Sequence, residues 1–197
     1  MREKILLIDG HSILNRAFYG LPDLTNSEGL HTNAIYGFLN ILFKMMEEEK
    51  PDYLTVAFDL SAPTFRHKMY DAYKGTRKPM PQELRQQVPV MKDVLGAMGV
   101  PILSMEGYEA DDLLGTIAKR SEAKGMDVTV LSGDRDLLQL ATDHICIRIP
   151  KTKGGKTTIE DYFAKDVQEA YPFHATGIRT GRSRINKYQE HDNSADE

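Results

Sequence analysis

Carboxylates recur in this sequence at the ends of short apolar runs, and that placement is its strongest sign of chemistry. Ile5-Leu6-Leu7-Ile8 stops at Asp9, and Leu54-Thr55-Val56-Ala57-Phe58 stops at Asp59. Val128-Thr129-Val130-Leu131 leads through Ser132-Gly133 to Asp134 and Asp136. A fourth cluster, Glu109-Ala110-Asp111-Asp112, follows the apolar Ile102-Leu103 and opens a stretch of helical periodicity. Acids gathered at one edge repel each other and shift toward protonation unless a cation shares the site. An all-oxygen ligand set suits hard cations such as Mg²⁺ or Mn²⁺. The chemistry predicted is divalent-metal catalysis on a phosphorylated substrate.

Each acid taken alone has a plainer role. Asp134 can cap a helix over Arg135–Leu140, with Asp136 as a first-turn acid facing the helix dipole. Glu109, Asp111 and Asp112 can do the same for a helix over 113–124. Asp9 and Asp59 are different, because they end apolar strands rather than begin helices. Four acidic clusters at four strand ends point jointly to a metal site.

The elements that must position these acids alternate along the chain. After the first strand, Ser12 can cap a short helix reaching Phe18, and residues 21–30 read as a loop with Pro22 and Gly29. Ile35, Phe38, Leu39, Leu42, Met45 and Met46 recur at helical spacing over 33–46, and Pro51 precedes the second strand. Pro79 and Pro81 bracket the start of another amphipathic helix, which Gly99-Val100-Pro101 turns into the third strand. Residues 145–149 make a fifth strand. Lys153-Gly154-Gly155-Lys156 reads as a hairpin turn to a short edge strand, with a last helix near 160–170. This order predicts an α/β fold: three layers around an open, mostly parallel central sheet. Such sheets bind ligands outside the carboxyl ends of their strands, where the acids fall.

A chain of 197 residues suits one sizeable core. The formal net charge of -4 does not advertise nucleic-acid binding, but that total hides acids and bases clustered in different places. Cys146 is the sole cysteine, which rules out an intramolecular disulfide. No signal peptide precedes the first strand and no apolar run reaches membrane-spanning length, so a reduced, cytoplasmic setting without a membrane partner is expected.

Residues 66–78 stand apart. Arg66, Lys68, Lys74, Arg77 and Lys78 face one acid, Asp71, with Tyr70 and Tyr73 interleaved. Cations that meet phosphates beside rings that stack on bases suit single-stranded nucleic acid. A solvated loop is the plainer reading, and the position just after the Asp59 strand favours the functional one. Gly155-Lys156-Thr157 ends like a phosphate-binding P-loop, but Pro150 occupies the position of its first glycine. Residues 173–197 lack apolar periodicity and read as a disordered tail.

The motifs Leu7-Ile8-Asp9-Gly10-His11-Ser12, Val56-Ala57-Phe58-Asp59, Tyr73-Lys74-Gly75-Thr76-Arg77, Gly107-Tyr108-Glu109-Ala110-Asp111-Asp112 and Ser132-Gly133-Asp134-Arg135-Asp136 strongly resemble the 5′-nuclease domains of bacterial DNA polymerase I. Those domains belong to the flap-endonuclease, PIN-like superfamily. The resemblance covers residues 5–172 and implies a magnesium- or manganese-dependent phosphodiesterase. Such an enzyme releases nucleotides or flaps from DNA 5′ ends in replication and repair. It further implies two ions: Asp9, Asp59, Glu109 and Asp111 match ligands of one, Asp111, Asp134 and Asp136 lie near the second, and Asp112 supports them. Tyr73, Lys74, Arg77 and Lys78 match a helical arch that contacts the 5′ strand, with Lys74 and Arg77 also in catalytic positions. Arg16 matches a base facing the same DNA. The implied setting is a monomer in the bacterial cytoplasm, at the nucleoid, with 5′ single-stranded ends or flaps as partners.

After Tyr171-Pro172 the sequence departs from that family, which continues into a Gly-Asp-x-x-Asp-Asn-x-Pro-Gly motif and a helix-hairpin-helix element. Residues 1–172 are therefore expected to form a nuclease domain lacking those parts, with 173–197 outside it. A weakly active or non-catalytic DNA-binding remnant is the alternative expectation. A phospho-aspartate hydrolase on a similar sheet would want an aspartate two residues beyond Asp9, where this chain has His11.

Overall fold

The computed structural model describes residues 2–60, 62, 64–69, 79–153 and 156–171. Strand β1 (Lys4–Asp9) runs without a loop into helix α1 (Gly10–Gly20). Helix α2 (Asn33–Glu49) follows, then β2 (Tyr53–Ala57), the short helix α3 (Phe65–Met69) and α4 (Gln82–Ala97). The remainder is β3 (Ile102–Leu103), α5 (Ala110–Ala123), β4 (Asp127–Leu131), a 3₁₀ helix (Arg135–Leu140), β5 (Ile145–Lys153), β6 (Lys156–Tyr162) and α6 (Ala164–Ala170).

The strands form one sheet in the order β3-β2-β1-β4-β5-β6, parallel throughout except for the antiparallel β5–β6 hairpin. The pleat's two-residue period sorts the apolar residues of each strand between two cores. Leu6, Ile8, Val56 and Phe58 pack with α1, α2 and α4 on one face. Leu7, Ala57, Val128 and Val130 pack with α5 and the 3₁₀ helix on the other. Burial on both faces explains why the strands read as unbroken apolar runs.

That sorting locates the site. The connections leaving β1 and β2 use helices on one face, whereas the connection from β3 back to β4 uses α5 on the opposite face. The direction of winding therefore reverses between β1 and its neighbour β4. A crevice opens outside the carboxyl ends of strands at such a switch point.

Several boundaries differ from the sequence-based expectations. Asp9 rather than Ser12 caps α1, because strand and helix are contiguous and the cap falls on the strand's last residue. Helix α5 starts at Ala110 rather than 113, and the helix expected over 135–140 is present as a 3₁₀ helix. The edge strand is longer than predicted: residues 160–162 pair with Ile149, Arg148 and Ile147, so α6 begins only at Ala164. No helix among the described residues is long and apolar enough to cross a membrane. The expected arch residues Tyr73, Lys74, Arg77 and Lys78, and the expected tail 173–197, lie outside the described residues.

Candidate metal centre at the carboxyl edge of the sheet

Asp9 closes β1 at the switch point and is 9% exposed. Its Oδ1 accepts the Ser12 backbone N–H at 3.0 Å, and its Oδ2 accepts the Ser132 hydroxyl at 2.8 Å. The Ser132 Oγ accepts the Asp134 N–H at 3.1 Å, while the Ser12 Oγ accepts the Gly133 N–H at 2.8 Å. Two serines thus stitch the end of β1 to the loop after β4, which a motif reading of the acids does not reveal. Gly133 fits because a Cβ there would approach the Ser12 Oγ to 3.0 Å. Burial pushes the Asp9 carboxyl upward in pKa; the Ser12 and Ser132 hydrogen bonds oppose this, and nearby Asp59 and Asp134 add to it.

Asp59 lies two residues past β2. Its Oδ1 accepts the Ala110 N–H at 2.6 Å, tying it to the first turn of α5. Its backbone N–H donates to His11 Nδ1 at 3.2 Å, which places the ring proton of neutral His11 on Nε2. Burial lowers the His11 pKa, against the raising effect of Asp59.

The start of α5 holds the second group. Glu109 is 5% exposed and its N–H donates to Asp112 Oδ2 at 3.0 Å. Arg66, on α3, grips Asp112 bidentately, with NH1 2.7 Å from Oδ2 and NH2 2.6 Å from Oδ1. Its NH1 also lies 3.4 Å from Glu109 Oε2. Within the basic segment 66–78, the first base is therefore not available to nucleic acid but turns inward to a carboxylate. The only sequence hint is its position seven residues after Asp59, on the strand-end side of the sheet.

Asp111 is the group left over. Its Oδ1 is buried and has no hydrogen-bond partner. Burial, followed by the charges of Asp112 and Glu109, pushes its pKa up to about 6 from the ordinary 3.8. A buried carboxylate oxygen without a donor is costly unless something positive meets it.

Asp134 and Asp136 are exposed at the 3₁₀ helix, where Asp134 Oδ1 accepts the Asp136 N–H at 2.9 Å. The helix-capping role weighed for Asp134 is thus present alongside its charge effect on Asp9. Arg16, on α1, is half-buried with its Nε lacking a partner, and burial lowers its pKa. Among the described residues, no three histidine, cysteine or acidic side chains are gathered into one ready ligand shell. The acids instead form two groups, Asp9–Asp59–Asp134 and Glu109–Asp111–Asp112, linked by the Ala110–Asp59 hydrogen bond. An all-oxygen set, with raised pKa values at Asp9 and Asp111 and an orphaned Asp111 oxygen, fits a hard divalent cation.

Residues 4–172 match the family described as the 5′-3′ exonuclease, N-terminal resolvase-like domain. The DNA polymerase I of Bacillus caldotenax is 48% identical over 171 residues, which are 87% of this chain and 19% of that protein. A 5′-3′ exonuclease of Aquifex aeolicus is 43% identical over 146 residues, 74% of this chain and 50% of that protein. The chain thus spans about a fifth of that polymerase and half of that exonuclease. The T5 D15 protein, crystallised with metal ions, shares the fold with a TM-score of 0.64 at 19% identity, over 86% of this chain and 60% of its own. A T5 D15 flap endonuclease complex with DNA and metal ions gives 0.65 at 21% identity, over 86% and 61%.

Proposed function

The chain belongs to the 5′-3′ exonuclease family through its N-terminal resolvase-like domain, and on that premise we propose that it is a divalent-metal-dependent DNA phosphodiesterase acting at 5′ ends and flaps. The observation that carries the reading is the edge where β1, β2 and β4 end. Buried Asp9 feels the charges of Asp59 and Asp134 there, and in the adjoining group, tied to Asp59 through the Ala110 N–H, Asp111 keeps an unpartnered oxygen. Asp9, Asp59, Glu109, Asp111 and Asp134 are the residues that would hold Mg²⁺ or Mn²⁺. A second ion would draw on Asp111, Asp134 and Asp136, with Asp112 in support. The chemistry a bound ion supplies is a more acidic water nucleophile and charge neutralisation on the leaving oxygen.

The protein's own part is positioning. Hydrogen bonds from Ser12 and Ser132 fix both oxygens of Asp9. His11 and Ala110 hold Asp59 from its backbone and side chain respectively. Arg66 grips Asp112 and partly offsets the repulsion that Asp112 and Glu109 exert on Asp111. Arg16, Tyr73, Lys74, Arg77 and Lys78 are the proposed DNA contacts, Lys74 and Arg77 acting nearest the chemistry, and the protein works as a monomer.

The test is cleavage of a 5′-labelled flap duplex by the full chain. We expect short 5′ products in Mg²⁺ or Mn²⁺ and none in chelator. DNA binding without cleavage in either metal would leave a DNA-binding domain only. Neither binding nor cleavage would overturn the reading.

A further inference from the structure

We propose that Lys92, seated on Phe58 beside His11, forms a phosphate-binding subsite for the backbone of a single DNA strand; this rests on the nuclease reading above. Helix α4 ends in a tight turn, with the Val100 N–H bonded to the Leu95 carbonyl at 2.9 Å and Gly99 at φ 73°, and β3 starts directly after it. The carboxyl end of α4 therefore lies where strands begin, and its amino end points toward the edge where they finish. Helical side chains lean toward the helix amino terminus. The Lys92 stem accordingly rises toward the acidic edge, and its Nζ lies 4.8 Å from the centre of the Phe58 ring.

That ring is a fixed platform. Phe58 is 1% exposed and immediately precedes Asp59. The His11 ring packs edge-on against it at 5.2 Å and 86°. Gly10 presses close enough that a Cβ there would come within 2.5 Å of it. The Lys92 charge also reaches His11, whose Nδ1 accepts the Asp59 N–H.

Two facts separate Lys92 from an ordinary surface lysine. It is half-buried with its Nζ over the Phe58 ring, and among the described residues no carboxylate is paired to it. Arg66, by contrast, is committed bidentately to Asp112. An edge crowded with acids repels a polyanion, so a strand approaching Asp59 needs an uncommitted cation beside it. Lys92 supplies one beside Phe58, the residue that precedes Asp59. An ammonium acts on phosphate as a point charge with rotatable donors, which suits a backbone phosphate in any sequence.

The test uses the full chain in Mg²⁺ with a phosphorothioate-linked single strand, which resists hydrolysis while keeping its charge. Affinity is measured across a salt series for wild type, Lys92→Met and Lys92→Arg. Methionine keeps an apolar stem over Phe58, and Lys92→Gln serves if that variant loses its fold. We expect Lys92→Met to bind several-fold more weakly, with the salt slope reduced by about 0.7 for one lost phosphate contact. Arginine should restore both values, and a methylphosphonate strand, whose backbone is neutral, should erase the difference between variants. Wild-type affinity and slope in Lys92→Met would overturn the inference and leave the nuclease reading standing. No binding by wild type would overturn both.

Discussion

The two ends of the sheet treat their acids in opposite ways. Where the strands begin, Asp127 meets Arg2 at 3.4 Å and His144 at 3.1 Å, and Asp52 accepts the Lys4 N–H at 2.8 Å. These acids are exposed or nearly so, and each has a donor. Where β1, β2 and β4 end, Asp9 is buried beside Asp59 and Asp134, which push its pKa further up. Asp111 keeps an oxygen with no donor at all. One end is arranged for the stability of the fold. The other carries charge that the fold alone does not balance, a cost that makes sense only if a cation shares the site.

The largest expected effect breaks that contrast at the carboxyl edge. Asp9→Asn and Asp111→Asn should each lower metal-dependent flap cleavage by about 10²-fold or more, the scale of removing one charge partner from a transition state. Without metal, Asp111→Asn should nevertheless melt higher than wild type, since burial and the charges of Asp112 and Glu109 outweigh the help its carboxylate receives from Arg66 and the Asp112 N–H. Lower melting for Asp111→Asn would mean that its carboxylate is satisfied after all.

Arg66 gives an intermediate effect. Arg66→Ala strips both guanidinium hydrogen bonds from half-buried Asp112, and a loss of about 1–3 kcal/mol in chemical denaturation is expected. Mg²⁺ should restore part of that stability, because the freed charge adds to the cation site. Equal loss with and without metal would separate Arg66 from the site.

A pH scan sharpens the same comparison. The Asp111 pKa rises from 3.8 to about 6 on folding, so between those values the native state binds more protons than the unfolded chain. Stability then falls as pH rises through that window, and is lowest above it. Metal-free wild type should show this fall in its thermal midpoint, Asp111→Asn should show less of it, and stabilisation by Mg²⁺ should grow as pH passes about 6. The smallest effect belongs to the opposite end: Asp127→Asn weakens its solvent-exposed contacts with Arg2 and His144, should change stability by less than about 1 kcal/mol, and should leave cleavage untouched.

The sheet was legible because its strands are buried on both faces and read as apolar runs ending in acids. Asp9, Asp59 and the Glu109–Asp112 cluster could be placed at one edge from that alone. The cap on α1 was not legible, since Ser12 ranks as well as aspartate as a cap and only the absence of a loop after β1 decides for Asp9. The length of β6 was hidden because the last helix was expected from about residue 160, whereas Asp161 serves Arg148 across the hairpin at 2.8 Å. Arg66 escaped notice because a base in a basic run carries no local sign of the distant acid it will meet. Tertiary pairings of this kind have no periodicity to betray them.

The central claim is that cations gather at one end of the sheet and not the other. Substoichiometric Mn²⁺ added to isotope-labelled protein tests it directly, through paramagnetic broadening of backbone amide signals. The account predicts early loss of the Gly10, Ser12, Ala110 and Gly133 amides while those of Lys4, Asp52, Asp127 and His144 persist. Broadening that begins at Asp127 and His144, or that spreads evenly over both ends, would contradict it.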